Sequence, residues 1–180
     1  MNQDIQSLIK QVHQGKESAV RVLYARYEQY WFCLCLRYAN HKSEAEDMFQ
    51  EGVANIFQKI KQFDVQRGSF KSWSSKVIVN AALKYLKKYQ WQQSFTDLTL
   101  AEGSIDWSND VLGKITTKEL INVVQQLPSG YRVVFNMREI EGYSHQEIAD
   151  ALNISVGTSK SQLSKAKRLL QQKMKVLFLK

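Results

Sequence analysis

A short segment near the C-terminus carries the side chains that proteins use to contact nucleic acid. Lysine neutralises phosphate groups, and hydroxyl groups bond to phosphates or base edges. On a helix that follows Ser155, we expect the exposed positions to be Thr158, Ser159, Lys160, Ser161, Gln162, Lys165, Lys167 and Arg168. Lys160 and Lys165 lie about 140° apart around the axis of such a helix and can reach opposite sides of a groove.

The residues before this segment have the pattern of a helix-turn-helix. Ser144 and Glu147 form an S-x-x-E capping box, and Ser155 is placed to cap a second helix. Contacts between the two helices are expected from Ile148, Ala149, Leu152 and Ile154. The second helix of such a motif turns its N-terminal residues toward base edges in the major groove. The alternative is a structural helical hairpin with a solvated, charged face.

A second basic group lies in the N-terminal half, where lysines alternate with aromatic residues. The lysines are Lys71, Lys76, Lys84, Lys87 and Lys88, and the aromatic residues are Phe70, Trp73, Tyr85, Tyr89 and Trp91. Positive charge combined with stacking planes suits unpaired bases. Gly68, in the loop 64–69, lets a ligand approach the backbone, and Asn80 lies between Lys76 and Lys84 at i, i+4 steps. An amphipathic helix with core aromatic residues would show the same pattern.

Trp73 is either a stacking platform or a core residue. Val77 lies four residues after Trp73 and is expected to be buried, which favours the core for Trp73. We expect Leu83 and Leu86 to be buried on the same helix.

Acidic residues gather at the start of a predicted third helix. Ser43 and Glu46 match a capping box, so we expect this helix to begin near Glu44. Asp47, Gln50 and Glu51 then share one side of the helix, which suits a basic, polar partner surface. A nucleic-acid-processing enzyme would need a metal-binding carboxylate cluster, and the nearest candidates are Glu44, Glu46, Asp47 and Glu51. The helix dipole and solvation explain these residues more simply.

Signals for catalysis are weak elsewhere. Cys33 and Cys35 have no second ligand pair, which predicts buried, inert thiols. His13, His41 and His145 are scattered, and none stands beside a Ser or Cys nucleophile in a recognisable setting. The sequence contains no glycine-rich phosphate-binding motif. We therefore expect a protein that is not an enzyme and that holds no metal ion or cofactor.

The composition predicts an all-α protein. The 180 residues carry a net charge of +8 and are 44% hydrophobic, with only 8 Gly and one Pro, too few turn residues for a β-sandwich or barrel. Apolar spacing and breaks predict helices near 5–12, 20–38, 44–60, 70–89, 116–127, 130–141, 145–152 and 156–175. The apolar runs fall short of the roughly 20 residues of a membrane span, and the N-terminus lacks the regions of a signal peptide, so a cytoplasmic protein is expected.

The charge divides the chain into three segments. Residues 1–93 and 113–180 each carry a net charge of +6, whereas residues 94–112 carry −4. The acidic residues of the middle segment are Asp97, Glu102, Asp106 and Asp110. This organisation predicts two small helical domains joined by an acidic linker, which by composition alone is a solvated connector.

Several motifs occur in a fixed order along the chain. They are Leu23-Tyr24-Ala25-Arg26-Tyr27, the AEDMFQE of 45–51, the FDVQRGSFKSWSSKVIVN of 63–80, and the EIEGYSHQEIA and ISVGT of 139–149 and 154–158. In this order and spacing the chain resembles a bacterial RNA polymerase sigma factor of the sigma-70 superfamily, extracytoplasmic-function class. The resemblance implies a sigma-2-like helical bundle over 1–93 and a sigma-4-like helix-turn-helix domain over 113–180.

The resemblance also implies roles for the candidate residues. Core RNA polymerase would contact Asp47, Gln50 and Glu51. The melted −10 strand would contact Gly68, Lys71, Lys76, Asn80 and Lys84. The duplex −35 element would contact Thr158, Ser159, Lys160, Ser161 and Lys165. The acidic linker would occupy a positively charged polymerase channel as a nucleic-acid mimic, and an anti-sigma factor would cover polymerase-binding surfaces.

The chain departs from the family pattern at one dipeptide of the fourth helix, and a second class of DNA-binding protein is an alternative to a sigma factor. Many members of the family have W-L where this chain has Trp73-Ser74, from which we expect a less tightly packed fourth helix. A stand-alone helix-turn-helix repressor or activator also fits the C-terminal motif. Such a regulator would bind duplex DNA without polymerase, usually as a dimer on two half-sites, whereas a sigma factor lends promoter recognition to the polymerase, which performs all the chemistry.

Overall fold

The computed structural model describes residues 5–89 and 117–178, and the chain divides into two compact units, Met1–Leu86 and Lys87–Lys180. The described residues form eight α-helices and no strand, which confirms the all-α prediction. The first unit is built on α1 (Ile5–His13), α2 (Glu17–Tyr38), α3 (Lys42–Lys59) and α4 (Phe70–Tyr89). The second contains α5 (Thr117–Gln125), α6 (Ser129–Phe135), α7 (His145–Leu152) and α8 (Val156–Phe178).

The short connections also have regular structure. Single 3-10 turns occupy Ile60–Gln62 and Val65–Arg67 between α3 and α4, and α6 continues as a π-helical turn over Asn136–Ile140. The predicted linker, with Asp97, Glu102, Asp106 and Asp110, lies outside the described residues. Within the described ranges, none of the helices is both long and apolar enough to cross a membrane.

An aromatic cluster holds α2 against α4 in the first unit. Trp31 of α2 is fully buried, and its ring centroid lies 6.4 Å from that of Phe70 at the start of α4. Tyr27 stacks on Trp31 at 5.5 Å and meets Phe70 edge-on at 5.2 Å. Such pairs add specific geometry to the burial of large apolar surfaces, so they fix where α4 begins relative to α2.

A glycine allows α3 to approach α4 closely. A Cβ atom on Gly52 would lie 2.6 Å from Cδ1 of Ile78 and 3.5 Å from its Cα, so a larger residue at this position would force the Ile78 side chain to move. The close approach at Gly52 lets side chains on the edges of α3 and α4 reach one another.

The second unit has its own core and a buried arginine. Its apolar cluster consists of Val123, Val124, Leu127, Tyr131, Ala166 and Leu170, from α5, α6 and α8 and the α5–α6 turn. Arg132 is fully buried, and its Nη1 donates to the carbonyl oxygens of Gln125 at 2.8 Å and Leu127 at 3.2 Å. Gln125 is the last residue of α5 and Leu127 lies in the turn that follows, so the arginine secures the break before Pro128.

The two cysteines differ in burial. Cys35 is fully buried, and burial raises the pKa of its thiol to about 12, as expected of an inert thiol. Cys33 is half-buried, so the expectation that both are buried is correct only for Cys35.

Candidate functional sites

The N-terminus of α3 is capped two residues earlier than the sequence predicts. His41, not Ser43, is the N-cap residue: its Nδ1 accepts from the backbone N–H of Glu44 at 3.5 Å. The Glu44 carboxylate in turn accepts from the backbone N–H of Asn40 at 2.8 Å. Ser43 is inside the helix and bonds to Nδ1 of His41 at 2.8 Å, so the prediction of a Ser43 and Glu46 box was wrong.

The acidic residues of α3 are engaged individually. Glu44 serves the cap, Glu46 pairs with Lys42 at 3.3 Å, and Asp47 accepts from the Tyr85 hydroxyl at 3.2 Å. Glu51 accepts from the Lys84 ammonium at 2.7 Å. No group of three or more His, Cys, Asp or Glu among the described residues could hold a metal ion, so the geometry gives no support to a metal-dependent reading of this cluster.

The residues predicted to meet polymerase lie on the surface of α3. Asp47 and Gln50 are exposed, and the Glu51 side chain is 36% exposed. Lys84 and Tyr85 of α4 border this surface through their bonds to Glu51 and Asp47. The structure therefore joins one predicted polymerase residue, Glu51, to one predicted −10 residue, Lys84.

The loop 64–69 is held in shape by its own polar side chains. Oδ1 of Asp64 accepts from the backbone N–H of Gln66 at 2.9 Å, and Oδ2 lies 3.5 Å from Nε of Arg67. Gly68 has a φ of +145° and open space where a Cβ would be. Ser69 then caps α4 by accepting from the backbone N–H of Ser72 at 3.1 Å. All six residues are exposed, so the loop presents backbone to a ligand.

A polar and basic column extends along α4 from this loop. Lys76, Asn80 and Lys84 are exposed at successive i, i+4 positions, and Lys71 is exposed in the first turn. The predicted limits of the helix, 70–89, agree with those of α4. Lys76, Asn80 and Lys84 therefore lie on one face of α4, as the spacing predicts.

Two expectations about the packing of α4 need correction. Val77 is half-buried, not buried, and Trp73 is half-buried with its ring 5.6 Å from those of Phe63 and Phe70. Ser74 does not loosen the helix: it is fully buried, and its Oγ accepts from Nε1 of Trp31 at 3.1 Å. The small hydroxyl makes room for a buried indole and satisfies its N–H.

The helix-turn-helix has the caps that the sequence predicts. Oγ of Ser144 accepts from the N–H of Glu147 at 3.1 Å, and the Glu147 carboxylate accepts from the N–H of Ser144 at 2.7 Å. Asn153 turns the chain at φ 55°, and Oγ of Ser155 accepts from the N–H of Thr158 at 2.9 Å. The predicted contact residues Ile148, Ala149 and Leu152 are buried, while Ile154 is half-buried.

The predicted −35 residues separate into exposed and covered ones. Lys160 and Ser161 are exposed, and Thr158 and Lys165 are half-buried. Ser159 is fully buried and Gln162 is 8% exposed, so the expectation of exposure was wrong for both. Ser159 is covered because α7 crosses α8 there: its Oγ lies 2.9 Å from Nδ1 of His145. Lys167, also expected to be exposed, is half-buried and pairs with Glu139 at 3.1 Å.

The sequence placed His145 at the start of a helix but did not indicate the contact that its side chain makes. It is the first residue of α7, and it ties that helix to the start of α8 through Ser159. Burial lowers the pKa of His145, and the nearby charges of Arg138, Lys160 and Lys167 lower it further against the opposing effect of Glu139. The start of the motif therefore has a predominantly positive field around a neutral imidazole.

Both units match known protein families. The family profile "Sigma-70 region 2" matches residues 23–92, and "Sigma-70, region 4" matches residues 117–170. The ECF RNA polymerase sigma factor SigW of Bacillus subtilis is 29% identical over 189 residues, covering 98% of this chain and 100% of SigW. The ECF RNA polymerase sigma-E factor of Haemophilus influenzae is 25% identical over 184 residues, covering 96% of each chain.

Solved structures show the same fold. The sigma factor RpoE of Bartonella quintana, in complex with the anti-sigma factor NepR, aligns with a TM-score of 0.53 at 18% identity over 87% of this chain and 97% of RpoE. CnrH, in complex with the cytosolic domain of CnrY, aligns with a TM-score of 0.50 at 18% identity over 94% and 96%. With the two family profiles in the order of the two helical units, the chain belongs to the sigma-70 family of RNA polymerase sigma factors, in the extracytoplasmic-function class.

Proposed function

We propose that this sigma factor binds core RNA polymerase through the exposed face of α3 and directs it to promoters through α4 and the helix-turn-helix. One observation carries the proposal: a single chain holds a doubly capped helix-turn-helix and, in a separate unit, a basic column beside an exposed loop. The first suits duplex DNA, and the second suits an unpaired strand. We also propose that it acts in the cytoplasm.

The −10 element is assigned to the loop 64–69 and the α4 column. The open space around Gly68 allows a base or sugar to approach the backbone. Lys71, Lys76 and Lys84 supply charge for phosphates, and Asn80 offers an amide that can both donate and accept. Binding energy gained on the separated strand would drive melting, while the polymerase performs the chemistry.

The −35 element is assigned to the N-terminal half of α8. Lys160 and Ser161 are its exposed members, with Thr158 and Lys165 partly exposed at its borders. Ser159 supports this site from inside, since its hydroxyl is hydrogen-bonded to the ring of His145. Direct contacts to base edges would therefore come from Lys160 and Ser161 first.

The domain limits and remaining partners follow from the sequence. We propose a sigma-2-like domain over 1–93, an acidic linker over 94–112 and a sigma-4-like domain over 113–180, with the linker held as a nucleic-acid mimic in a positive polymerase channel. An anti-sigma factor is a further proposed partner, implied by family resemblance.

Replacement of Asp97, Glu102, Asp106 and Asp110 by Asn or Ser tests whether the linker mimics nucleic acid: abortive and full-length transcripts should change more than promoter binding does.

Reconstituted transcription tests the main proposal. Core polymerase supplied with the full chain should start transcripts at promoters that core alone ignores, and a gel shift should show duplex promoter binding only when core is present. Tight, dimeric binding of duplex DNA by the chain without core would instead establish a stand-alone regulator.

A template with a pre-melted −10 bubble refines the role of α4. If Lys76 and Asn80 act in opening, replacing both with Ala should impair transcription from duplex promoters and be rescued by the bubble. A defect that persists on the bubble assigns them to holding the strand. Wild-type open-complex formation by the double variant on both templates would remove this face from the site.

A further inference from the structure

Two neighbouring aromatic residues of α2 reach two neighbouring serines of α4. The Tyr30 hydroxyl lies 2.8 Å from Oγ of Ser75, and Nε1 of Trp31 lies 3.1 Å from Oγ of Ser74. Both serine hydroxyls donate to a single acceptor, the backbone carbonyl of Lys71, at 2.7 Å from Ser75 and 3.1 Å from Ser74. Because the Ser75 hydroxyl has only one proton, the Tyr30 O–H must be the donor to Ser75.

The side chain of Lys71 returns to the same tyrosine. Its ammonium lies 4.5 Å from the centroid of the Tyr30 ring, within the range of a cation–π interaction. Tyr30 thus restrains Lys71 twice, at the carbonyl through Ser75 and at the ammonium through its ring. A lysine in the first turn of a helix is disfavoured by the helix dipole, so helix stability does not account for a cation here.

We infer that Tyr30 is a positioning residue of the −10 surface, which holds the Lys71 ammonium beside the loop 64–69 to receive a backbone phosphate of the unpaired strand. The inference rests on the proposed function of α4. Lys71 follows Ser69, the last residue of the loop, by two positions, so a base taken by the loop would bring its flanking phosphates near this ammonium. Because Tyr30 is only half-buried, its ring restrains the ammonium without closing it off from solvent.

A double-mutant cycle on strand binding tests the inference. The holoenzyme is assembled with the full chain, and its affinity is measured by anisotropy on a forked promoter probe with a single-stranded −10 region. Lys71→Ala and Tyr30→Leu should each weaken binding, Tyr30→Leu by about two- to fivefold, the effect of an exposed cation–π contact. The Tyr30→Leu and Lys71→Ala double variant should be no weaker than Lys71→Ala alone.

Three controls separate positioning from folding. Tyr30→Phe keeps the ring under the ammonium and should retain most of the affinity, while urea unfolding reports the stability of every variant. Among the described residues the Tyr30 hydroxyl and ring interact with Ser75 and Lys71, and no hydrogen bond or cation–π contact joins Tyr30 to Lys76, so the effects of Tyr30→Leu and Lys76→Ala should multiply. Should leucine unfold the chain, Tyr30→Met, whose longer, unbranched side chain adapts to irregular space, replaces it in the cycle.

The possible failures are distinguishable. Effects of Tyr30→Leu and Lys71→Ala that multiply would overturn the inference and leave the −10 surface intact. If Lys76→Ala weakens strand binding and Lys71→Ala does not, the inference is likewise overturned and the −10 surface remains. Unchanged strand affinity in both lysine variants would overturn the proposed function of α4 and the inference with it.

Discussion

The ammonium of Lys84 lies 2.7 Å from Oε1 of Glu51, so one ion pair links the α4 column proposed for DNA to the α3 face proposed for polymerase. The two residues are far apart in the sequence and meet because Gly52 lets the helices approach. Both side chains are substantially exposed, at 76% for Lys84 and 36% for Glu51, and exposed pairs add little stability, typically about 0.2–1 kcal/mol. The contribution of this ion pair to stability is therefore too small to explain why these two positions hold a glutamate and a lysine.

Exchange of the two charges tests whether Glu51 acts at the polymerase interface. Glu51→Lys combined with Lys84→Glu keeps an ion pair between the helices and should leave the free energy of unfolding within about 0.5 kcal/mol of wild type. Affinity for core should nevertheless fall, because a lysine then faces a basic partner surface. If the exchanged variant instead binds core as tightly as wild type and is equally stable, core binding needs only the ion pair and not a carboxylate at position 51.

Asp47 and Gln50 provide a second test of the polymerase face. Asp47→Ala with Gln50→Ala should weaken core binding, while the loss of exposed polar groups costs within about 0.5 kcal/mol of stability. The matched control is Tyr85→Phe, which removes the donor to Asp47 but keeps the carboxylate, and it should bind core normally. A well-folded double variant with undiminished core affinity would refute the assignment.

Ser74 should resist replacement by the leucine that many family members carry. Leucine there would overpack the fully buried site and leave the Trp31 N–H without an acceptor, so we expect a loss of at least about 2 kcal/mol in the free energy of unfolding. Ser74→Ala, which removes only the hydroxyl, should cost less. In a Trp31→Phe background the leucine should be better tolerated, because the smaller ring opens space and has no N–H. Urea unfolding of the four variants decides the point, and equal costs in both backgrounds would exclude this pairing.

Much of the fold was predictable because local signals and tertiary contacts agree. The break at Asp64, Gly68 and Ser69 and the apolar spacing after it placed α4 at its observed limits. Ser144, Glu147 and Ser155 marked the caps of the helix-turn-helix because their bonds are made within three residues.

The misplaced residues depend on contacts between elements or on weaker local signals. Ser159 has the composition of an exposed position, and only the crossing of α7 over α8 shows that His145 covers it. The Ser43 and Glu46 pattern predicted a cap, but His41 offers a ring nitrogen two residues earlier, and the Glu44 carboxylate accepts from the backbone N–H of Asn40. The bond between Trp31 and Ser74 joins helices that no spacing rule connects.

Lys160 should dominate the −35 contacts of α8, since it is exposed at the N-terminal end of the helix. If its ammonium reads a base, Lys160→Ala should cost about 1–3 kcal/mol of binding free energy and relax the preference at one position. If it contacts only phosphate, affinity should fall for all sequences and the salt slope by about one. Competition binding of the holoenzyme to variant −35 elements at several salt concentrations distinguishes these results. A Lys160→Ala protein with unaltered preference, affinity and slope would exclude both.

His145 should make the stability of the chain fall in mild acid. Burial, then Arg138, Lys160 and Lys167, lower the pKa of the folded imidazole below its ordinary value, with only Glu139 opposing. The unfolded chain therefore binds a proton more readily than the folded chain as pH drops below about 6.5. The contribution of His145 to the free energy of unfolding is then constant above that pH, declines below it, and levels off once the folded imidazole is also protonated.

The measurement is urea unfolding at pH 7.5, 6.5 and 5.5 for wild type and His145→Gln, since glutamine keeps a polar side chain near Ser159 but does not titrate. The difference between the two proteins isolates His145 from His13 and His41, which both retain. We expect the wild type to lose more stability than His145→Gln between pH 7.5 and 5.5. Parallel pH profiles would mean that His145 has the same proton affinity in the folded and unfolded chains, and that the positive field around the start of α7 is screened by solvent.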